Sequence, residues 1–297
     1  MTAPSRSPTA SAQADTVTPR AGVRGMGGTR LVISGDDRFG SAMRDLGAAF
    51  LAWRIWGILG LTDTRSRYRR TVLGPVWITL SIAIQSLAIG LIFSGLFGIA
   101  LETYLPYVTL GLLVWQFMSG TAIEAANAFA VSSNLIRNLP LPLGVHVLRV
   151  VWRNLLASLH HLVFVALIAP FTAIVIGPTA LWALLGMVLI VVNITWVAFL
   201  LALVSVRFRD IPPMVASAVQ VLFFVTPVIW SPERLGPMLG FLTLNPAYHM
   251  IEIVRDPLLG VPPSALSLAI AIGSAVIGWA AALAVYGRYQ WRIAYWI

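Results

Sequence analysis

Arg65-Ser66-Arg67-Tyr68-Arg69-Arg70-Thr71 is followed, from Val72 to Leu101, by some thirty residues without a charge. A bilayer core is crossed by about 20 consecutive apolar residues. The run that opens at Leu73-Gly74-Pro75 is long enough to do so. The four arginines end where the apolar run begins, and basic residues stay on the cytoplasmic side of a membrane helix. The stretch therefore predicts a transmembrane helix with its amino end at the cytoplasm.

The composition agrees. With 58% hydrophobic and 10% charged residues over 297 positions, there is too little polar surface to coat a water-soluble domain of this size. All twenty basic residues are arginines. A phosphate-binding loop of the G-x-x-x-x-G-K-[ST] type requires a lysine, so the chain carries no such loop. The absence of cysteine excludes disulfides, thiol nucleophiles and cysteine metal sites. Residues 1–40 lack the apolar core of a cleavable signal, so the first membrane helix is expected to direct insertion.

Residues 1–40, rich in Thr, Ser, Ala, Pro and Gly, predict a disordered cytoplasmic tail. Over 41–61, Leu46, Phe50, Trp53 and Gly57 recur at helical spacing while Arg44, Asp45 and Arg54 occupy other faces. This predicts an amphipathic helix along the cytoplasmic membrane surface; a helix packed on a soluble partner is the alternative. Residues 62–297 then predict an all-α integral membrane protein of six spans, at about 73–98, 107–131, 151–176, 181–205, 212–230 and 264–286. With the amino terminus cytoplasmic, eighteen of the twenty arginines fall inside and only Arg234 and Arg255 outside. Both ends are then cytoplasmic.

Three connections are more than turns. Ser132–Arg149 has cap residues, an amphipathic stub and a Pro-x-Pro break, predicting a short cytoplasmic helix with an apolar face at Leu135, Ile136 and Leu139, beside Arg137. Such a helix suits a groove on a partner. Val206–Pro213 is a tight basic turn. The outer segment 231–263 is apolar but broken by prolines, and predicts two short helices dipping into the membrane, the second opened by Asn245 as cap with Pro246 at its first position.

Candidate chemistry is sparse. Glu124 is the one carboxylate within an expected span, and pairing with Arg137, Arg149 or Arg153, or bonding to Asn127, competes with a proton-coupling role. His160 and His161 are adjacent, so they point about 100° apart on a helix and do not share a metal from one side; packing or pore lining is their expected role, and no metal is expected. Arg65, Arg67, Arg69 and Arg70 have two readings. They anchor anionic lipid and set topology, or, with the helix start at Gly74, they hold a phosphate or pyrophosphate headgroup. Trp77, Tyr104, Tyr107, Trp152, Trp230, Tyr286, Trp291 and Trp296 suit an interfacial belt. Phe93, Phe97, Trp115, Phe117, Phe223 and Phe224 lie deeper, where rings pack, face lipid or slide against sugar faces on a pathway.

Taken together, Arg-Tyr-Arg-Arg-Thr-Val-Leu-Gly-Pro-Val-Trp (67–77), Val-Arg-Phe-Arg-Asp-Ile (206–211), Phe-Phe-Val-Thr-Pro-Val-Ile-Trp-Ser-Pro (223–232), Leu-Asn-Pro-Ala-Tyr (244–248) and Arg-Ile-Ala-Tyr-Trp (292–296) resemble the transmembrane subunit of bacterial polysaccharide ABC exporters of the O-antigen and teichoic-acid type. The resemblance covers residues 41–297. It implies a homodimer in the bacterial inner membrane with two separate ATPase subunits, moving an undecaprenyl-diphosphate-linked glycan to the periplasm. It also implies that 41–61 is a gate helix, that 132–149 contains a coupling helix contacting the ATPase, and that 231–263 forms periplasmic gate helices. ATP and magnesium then belong to the partner, with no cofactor on this chain and no nucleic-acid partner. A permease for drugs or a small lipid is the alternative within that architecture. An intramembrane lipid-processing enzyme would require clustered acids or nucleophiles, and Asp63 and Asp210 stand alone in sequence among arginines.

Overall fold

The computed structural model describes residues 38–69, 72–232 and 239–297. The tail expected over 1–40 therefore lies outside the described residues except for its last three positions, as do Arg70, Thr71 and, within the outer segment, residues 233–238 with Arg234. Every regular element among the described residues is helical: α1 (Arg38–Leu51), α2 (Trp53–Tyr68), α3 (Val76–Phe97), α4 (Leu101–Ala125), α5 (Ala128–Val131), α6 (Ser133–Asn138), α7 (Gly144–Ile168), α8 (Ala180–Arg207), α9 (Ile211–Val225), α10 (Leu239–Leu242), α11 (Pro246–Leu258) and α12 (Ala265–Trp296).

Among the described residues, five segments are long and apolar enough to cross a membrane: Val76–Phe97, Leu101–Ala125, Gly144–Phe171, Ala180–Arg207 and Ala265–Ile293. The stretch expected as the fifth span is helical only over Ile211–Val225. At 1.5 Å per residue that helix is about 22 Å long, short of a hydrocarbon core of about 30 Å. Pro227 explains the stop, because it has no N–H to continue the ladder.

Two other boundaries move for identifiable reasons. The second span begins at Leu101 rather than 107: Gly98 (φ 68°) closes α3 in the left-handed region, and Glu102 falls in the first turn of α4, where a carboxylate meets the positive helix end. The third begins at Gly144 rather than 151, because Asp45 of α1 accepts from the N–H groups of Leu143 (3.2 Å) and Gly144 (3.3 Å). That cap comes from 98 residues away in the chain.

The helix expected over 41–61 is two helices broken at Ala52. α1 lies against α7 and α12, with Tyr286 donating to Asp45 and Gln290 to Ser41 (2.5 Å). α2 runs on to Tyr68 and packs along α7. The core is built around α4, the most buried of the long helices, with α8 and α12 packed against one another beside it. Asn245 caps α11 by accepting from Ala247 N (3.0 Å), with Pro246 at the first position. α11 is largely buried, and its carbonyl at Ile253 approaches α8 so closely that a Cβ at Gly186 would stand 2.4 Å from that oxygen.

Gly186→Ala is therefore expected to destabilise the fold by about 1–3 kcal/mol, although alanine is by helix propensity alone about 1 kcal/mol better than glycine. Gly273→Ala is the control, since a Cβ there meets nothing within 4 Å. Thermal unfolding of both variants in detergent checks this; equal midpoints would remove the close-approach explanation.

Candidate functional site

The helices that carry the arginine-rich end are joined by a network of charges. Asp63 and Arg67 stand four residues apart on α2, and Arg149 and Arg153 four apart on α7, so each pair lies on one helix face. Arg149 donates to both oxygens of Asp63 (2.5 and 2.6 Å), and Arg153 donates to Asp63 (3.0 Å) and to Glu124 of α4 (2.7 Å). Arg67 donates to the other oxygen of Glu124 (2.7 Å), and Asn154 Nδ2 adds a further bond to that carboxylate (2.6 Å). The bond to Glu124 raises the Arg67 guanidinium above its ordinary pKa. Asp63, which stands alone in sequence, thus shares Arg153 with a second carboxylate in space. Both acids are neutralised, so the pair is poorly suited to general acid-base work.

Close packing makes this possible. A Cβ on Gly60 would stand 2.8 Å from the Trp152 side chain and 3.2 Å from the Arg149 carbonyl oxygen, so glycine lets α2 lie against α7. Trp56 and Trp152 meet edge to face at 5.8 Å just beyond.

Of the four arginines singled out by sequence, Arg67 is in this network and Arg70 lies outside the described residues. Arg65 and Arg69 are exposed and share a face about 200° round the helix from Asp63 and Arg67. Neither bonds to a described residue. Gly74 has φ +55°, the left-handed turn that joins α2 to α3. The N–H groups of Val76, Trp77 and Ile78 are already bonded to the carbonyls of Leu73, Gly74 and Pro75 (3.3, 3.2 and 3.0 Å). The first turn of α3 therefore gives these three donors to its own backbone, so the arrangement expected at Gly74, free N–H groups facing an anion, is not present there.

The segment expected as a docking helix contains α6. Leu135 and Ile136 are half-buried, Ile136 against the core, whereas Leu139 is exposed and Arg137 donates to the Ile297 carbonyl oxygen. Pro140 and Pro142 separate α6 from α7.

The aromatic candidates fall into two sets. Phe93, Phe97, Tyr104 and Tyr107 form a run at centroid distances of 5.5, 5.9 and 6.3 Å, ending where the Arg255 guanidinium lies 4.0 Å from the Tyr107 ring centroid. Tyr104 and Tyr107 donate to the carbonyls of Ile229 and Trp230, and Arg255 to that of Pro227 (2.8 Å), so the non-helical stretch after α9 is held by side chains. Trp115, Phe223 and Phe224 form the second set, at 5.6 and 5.5 Å. Trp115 borders an apolar cavity of about 350 Å³ between α4, α8, α9 and α11, whereas Phe224 is 63% exposed. Phe117, 1% exposed, is a core residue of α4.

Sequence reasoning missed the network as a unit. The Glu124–Arg153 pair is one of those expected from the sequence and is present (2.7 Å); for the rest the available signal was the i, i+4 spacing of Asp63 with Arg67 and of Arg149 with Arg153, and the joining of α2 to the pair had none. His249, Ser267 and Glu252 form another buried polar group, with His249 Nδ1 2.7 Å from Ser267 Oγ and Ser267 donating to Glu252. His249 Nε2 is committed to the Thr243 carbonyl (3.1 Å), which ties α11 to its neighbours.

A family profile described as "ABC-2 type transporter" matches residues 56–259. The chain is 21% identical over 238 residues to an O-antigen export system permease protein RfbA of Klebsiella pneumoniae, covering 78% of this chain and 90% of that protein. It is 24% identical over 228 residues to a protein of the same name from Myxococcus xanthus, covering 74% and 86%.

The network gives a graded expectation. Arg153 is mostly buried and serves two carboxylates, so Arg153→Gln should cost about 2–4 kcal/mol by removing a charge-assisted bond from each of Asp63 and Glu124 and the link between them. The Arg67 side chain is 52% exposed, and its loss should cost under about 1 kcal/mol. Denaturation midpoints of the two variants should differ accordingly; comparable losses would mean that the three helices are not joined through Arg153.

Proposed function

The chain belongs to the ABC-2 type transporter family, and on that basis we propose that it is the membrane subunit of an ATP-driven exporter carrying an undecaprenyl-diphosphate-linked polysaccharide from cytoplasm to periplasm. The observation that carries the reading is the family match over 56–259, which runs from α2 through α11 and so takes in the charged network, α6 and the buried α11. The printed names of the relatives from Klebsiella and Myxococcus support a surface glycan as cargo. Arg65 and Arg69 support a headgroup with negative charge, since guanidinium forks bind phosphate oxygens in pairs.

The arrangement of the complex follows the same reading. The chain sits in the bacterial inner membrane with both ends cytoplasmic and the arginine-rich end inward. α9 and the stretch 226–232 together make the fifth of six crossings, the helix covering most of the thickness and the held segment the rest. α9 buries none of its residues within the chain and exposes Met214, Val221, Phe224 and Val225, as expected of a helix that faces lipid, a second copy or the pathway between two copies. α1 and α2 form the cytoplasmic gate, α10 and α11 the periplasmic one. α6 presents Leu139 and the exposed edge of Leu135 to a separate ATPase subunit, which holds ATP and magnesium.

Two experiments test this. Leu135→Asp together with Leu139→Asp should abolish co-purification of the ATPase subunit while the membrane fold, followed by thermal unfolding, persists; a complex that survives with normal transport removes α6 as the docking element. In the reconstituted complex, lipid-linked glycan should stimulate ATP hydrolysis, and Arg65→Gln or Arg69→Gln should reduce the apparent affinity about five- to tenfold, each charge-assisted bond contributing about 1.5–3 kcal/mol before desolvation. Stimulation by a drug or by phospholipid, with none by lipid-linked glycan, would transfer the chain to another cargo.

A further inference from the structure

Beside the charged network, between α2, α3, α4 and α7, lies a polar cavity of about 190 Å³ that the export reading does not use. Its walls carry Tyr68, Ser81, Gln116, Asn154, Ser158 and His161. Asn154 belongs to both places, since its Nδ2 bonds Glu124 at 2.6 Å. Gln116 also bonds across to Gln85 of α3 (2.7 Å), so its amide is held in place.

Two of the wall groups have no partner. Ser158 is 3% exposed and His161 5%, and neither Ser158 Oγ nor His161 Nδ1 bonds to any described residue. Both stand on one face of α7, three residues apart, in a helix apolar enough to span a membrane. An unpaired polar group at that depth costs several kcal/mol, because lipid offers no replacement bond. Ser158 and His161 differ from the other unpartnered buried groups, such as His146 and Ser205, in bordering a cavity whose occupant can complete their bonds.

The chemistry of the walls narrows what that is. Tyr68, Ser81, Gln116, Asn154, Ser158 and His161 offer hydroxyl, amide and imidazole groups that both donate and accept, while among the described residues no carboxylate or guanidinium lines the cavity. The occupant is therefore neutral and rich in hydroxyl-like groups. At about 30 Å³ per water, the cavity has room for about six waters, the scale of one sugar ring with its hydroxyls. Tyr68 supplies ring surface of the kind that packs against a sugar face, while Phe117, fully buried, backs the wall. Tyr68 also lies between Arg67 and Arg69 in the chain, which places the cavity next to the arginines assigned above to the diphosphate.

We propose that this cavity is a sugar subsite, which receives the first sugar ring attached to the lipid diphosphate while Arg65 and Arg69 hold the diphosphate itself. Ser158 and His161 are binding residues in it, and they give the permease a means of telling a glycosylated carrier from the bare one. The proposal rests on the export reading, and its test separates the two.

The full chain with its ATPase subunit is placed in lipid nanodiscs, and binding is measured for undecaprenyl diphosphate and for the same lipid carrying one galactose or one N-acetylglucosamine. The chain is expected to bind at least one of the glycosylated lipids about tenfold more tightly than the bare lipid. Ser158→Ala and His161→Phe, the second of which also fills the cavity, should each bring that preference close to one, with the affinity for bare undecaprenyl diphosphate retained. Equal binding of all three lipids by the unaltered chain would mean a water-filled cavity only. A preference that survives both substitutions would place the sugar elsewhere. Binding of none of the lipids would instead overturn the export reading, and the subsite with it.

Discussion

Arg153 stands between Asp63 and Glu124, and the arrangement of the arginine-rich end depends on that position. Two carboxylates brought to one patch repel each other and lose water, so the fold that places them there must supply cations at hydrogen-bonding distance. Arg149 and Arg153 do so from α7, and Arg67 does so from α2. The network fixes the rotation of α2 as well as its position. With Asp63 and Arg67 turned toward α4 and α7, Arg65 and Arg69 are turned away, and the two acidic partners leave both guanidinium groups exposed.

A different solution operates at the opposite end. There the backbone leaves helical geometry over 226–230, where residues 226–228 are buried in the protein, and each released carbonyl needs a donor. Arg255, Tyr104 and Tyr107 provide them, with the arginine also lying over the Tyr107 ring. A buried arginine is expensive unless its donors are used, and a broken span is expensive unless its acceptors are used. Arg255 Nη1 and the Pro227 carbonyl meet each other's need, while Arg255 Nε has no hydrogen-bond partner among the described residues. The same reasoning accounts for Asp45, which meets the unpaired donors at the start of α7 and in turn accepts from Tyr286.

Much of this frame was legible because apolar run length and turn chemistry are local. The hairpin of α7 and α8, the Asn245-Pro246 start of α11 and the Ser264 start of α12 all follow from residues within a few positions of the boundary. The misplaced boundaries have two causes: local signals passed over, Gly98 and Glu102 before α4 and Pro227 after α9, and, for α7, a partner distant in the chain. α7 starts early because of Asp45; α9 stops early at Pro227, and the segment after it is held by α4 and α11. Ala52, where α1 gives way to α2, carries no breaker signal. Within the site, the arginine run announced itself, but its division of labour did not. Which arginine pairs and which stays exposed depends on Glu124 and on the close approach at Gly60, and neither is visible from the run itself.

That division bears on how an anion could be received without dismantling the fold. Three guanidinium groups share two carboxylates in the network, so the patch is already one positive charge in excess before Arg65 and Arg69 are counted. A diphosphate approaching the exposed face adds negative charge where the local balance lacks it, and need not compete with Asp63 or Glu124 for their partners. Of the network, only Arg67 is largely exposed, and its bond to Glu124 is the one most readily exchanged. Arg153 retains Glu124 if that exchange occurs. On the export reading proposed above, substrate recognition and the attachment of α2 would be coupled through Arg67, while the mostly buried part of the network holds the three helices together.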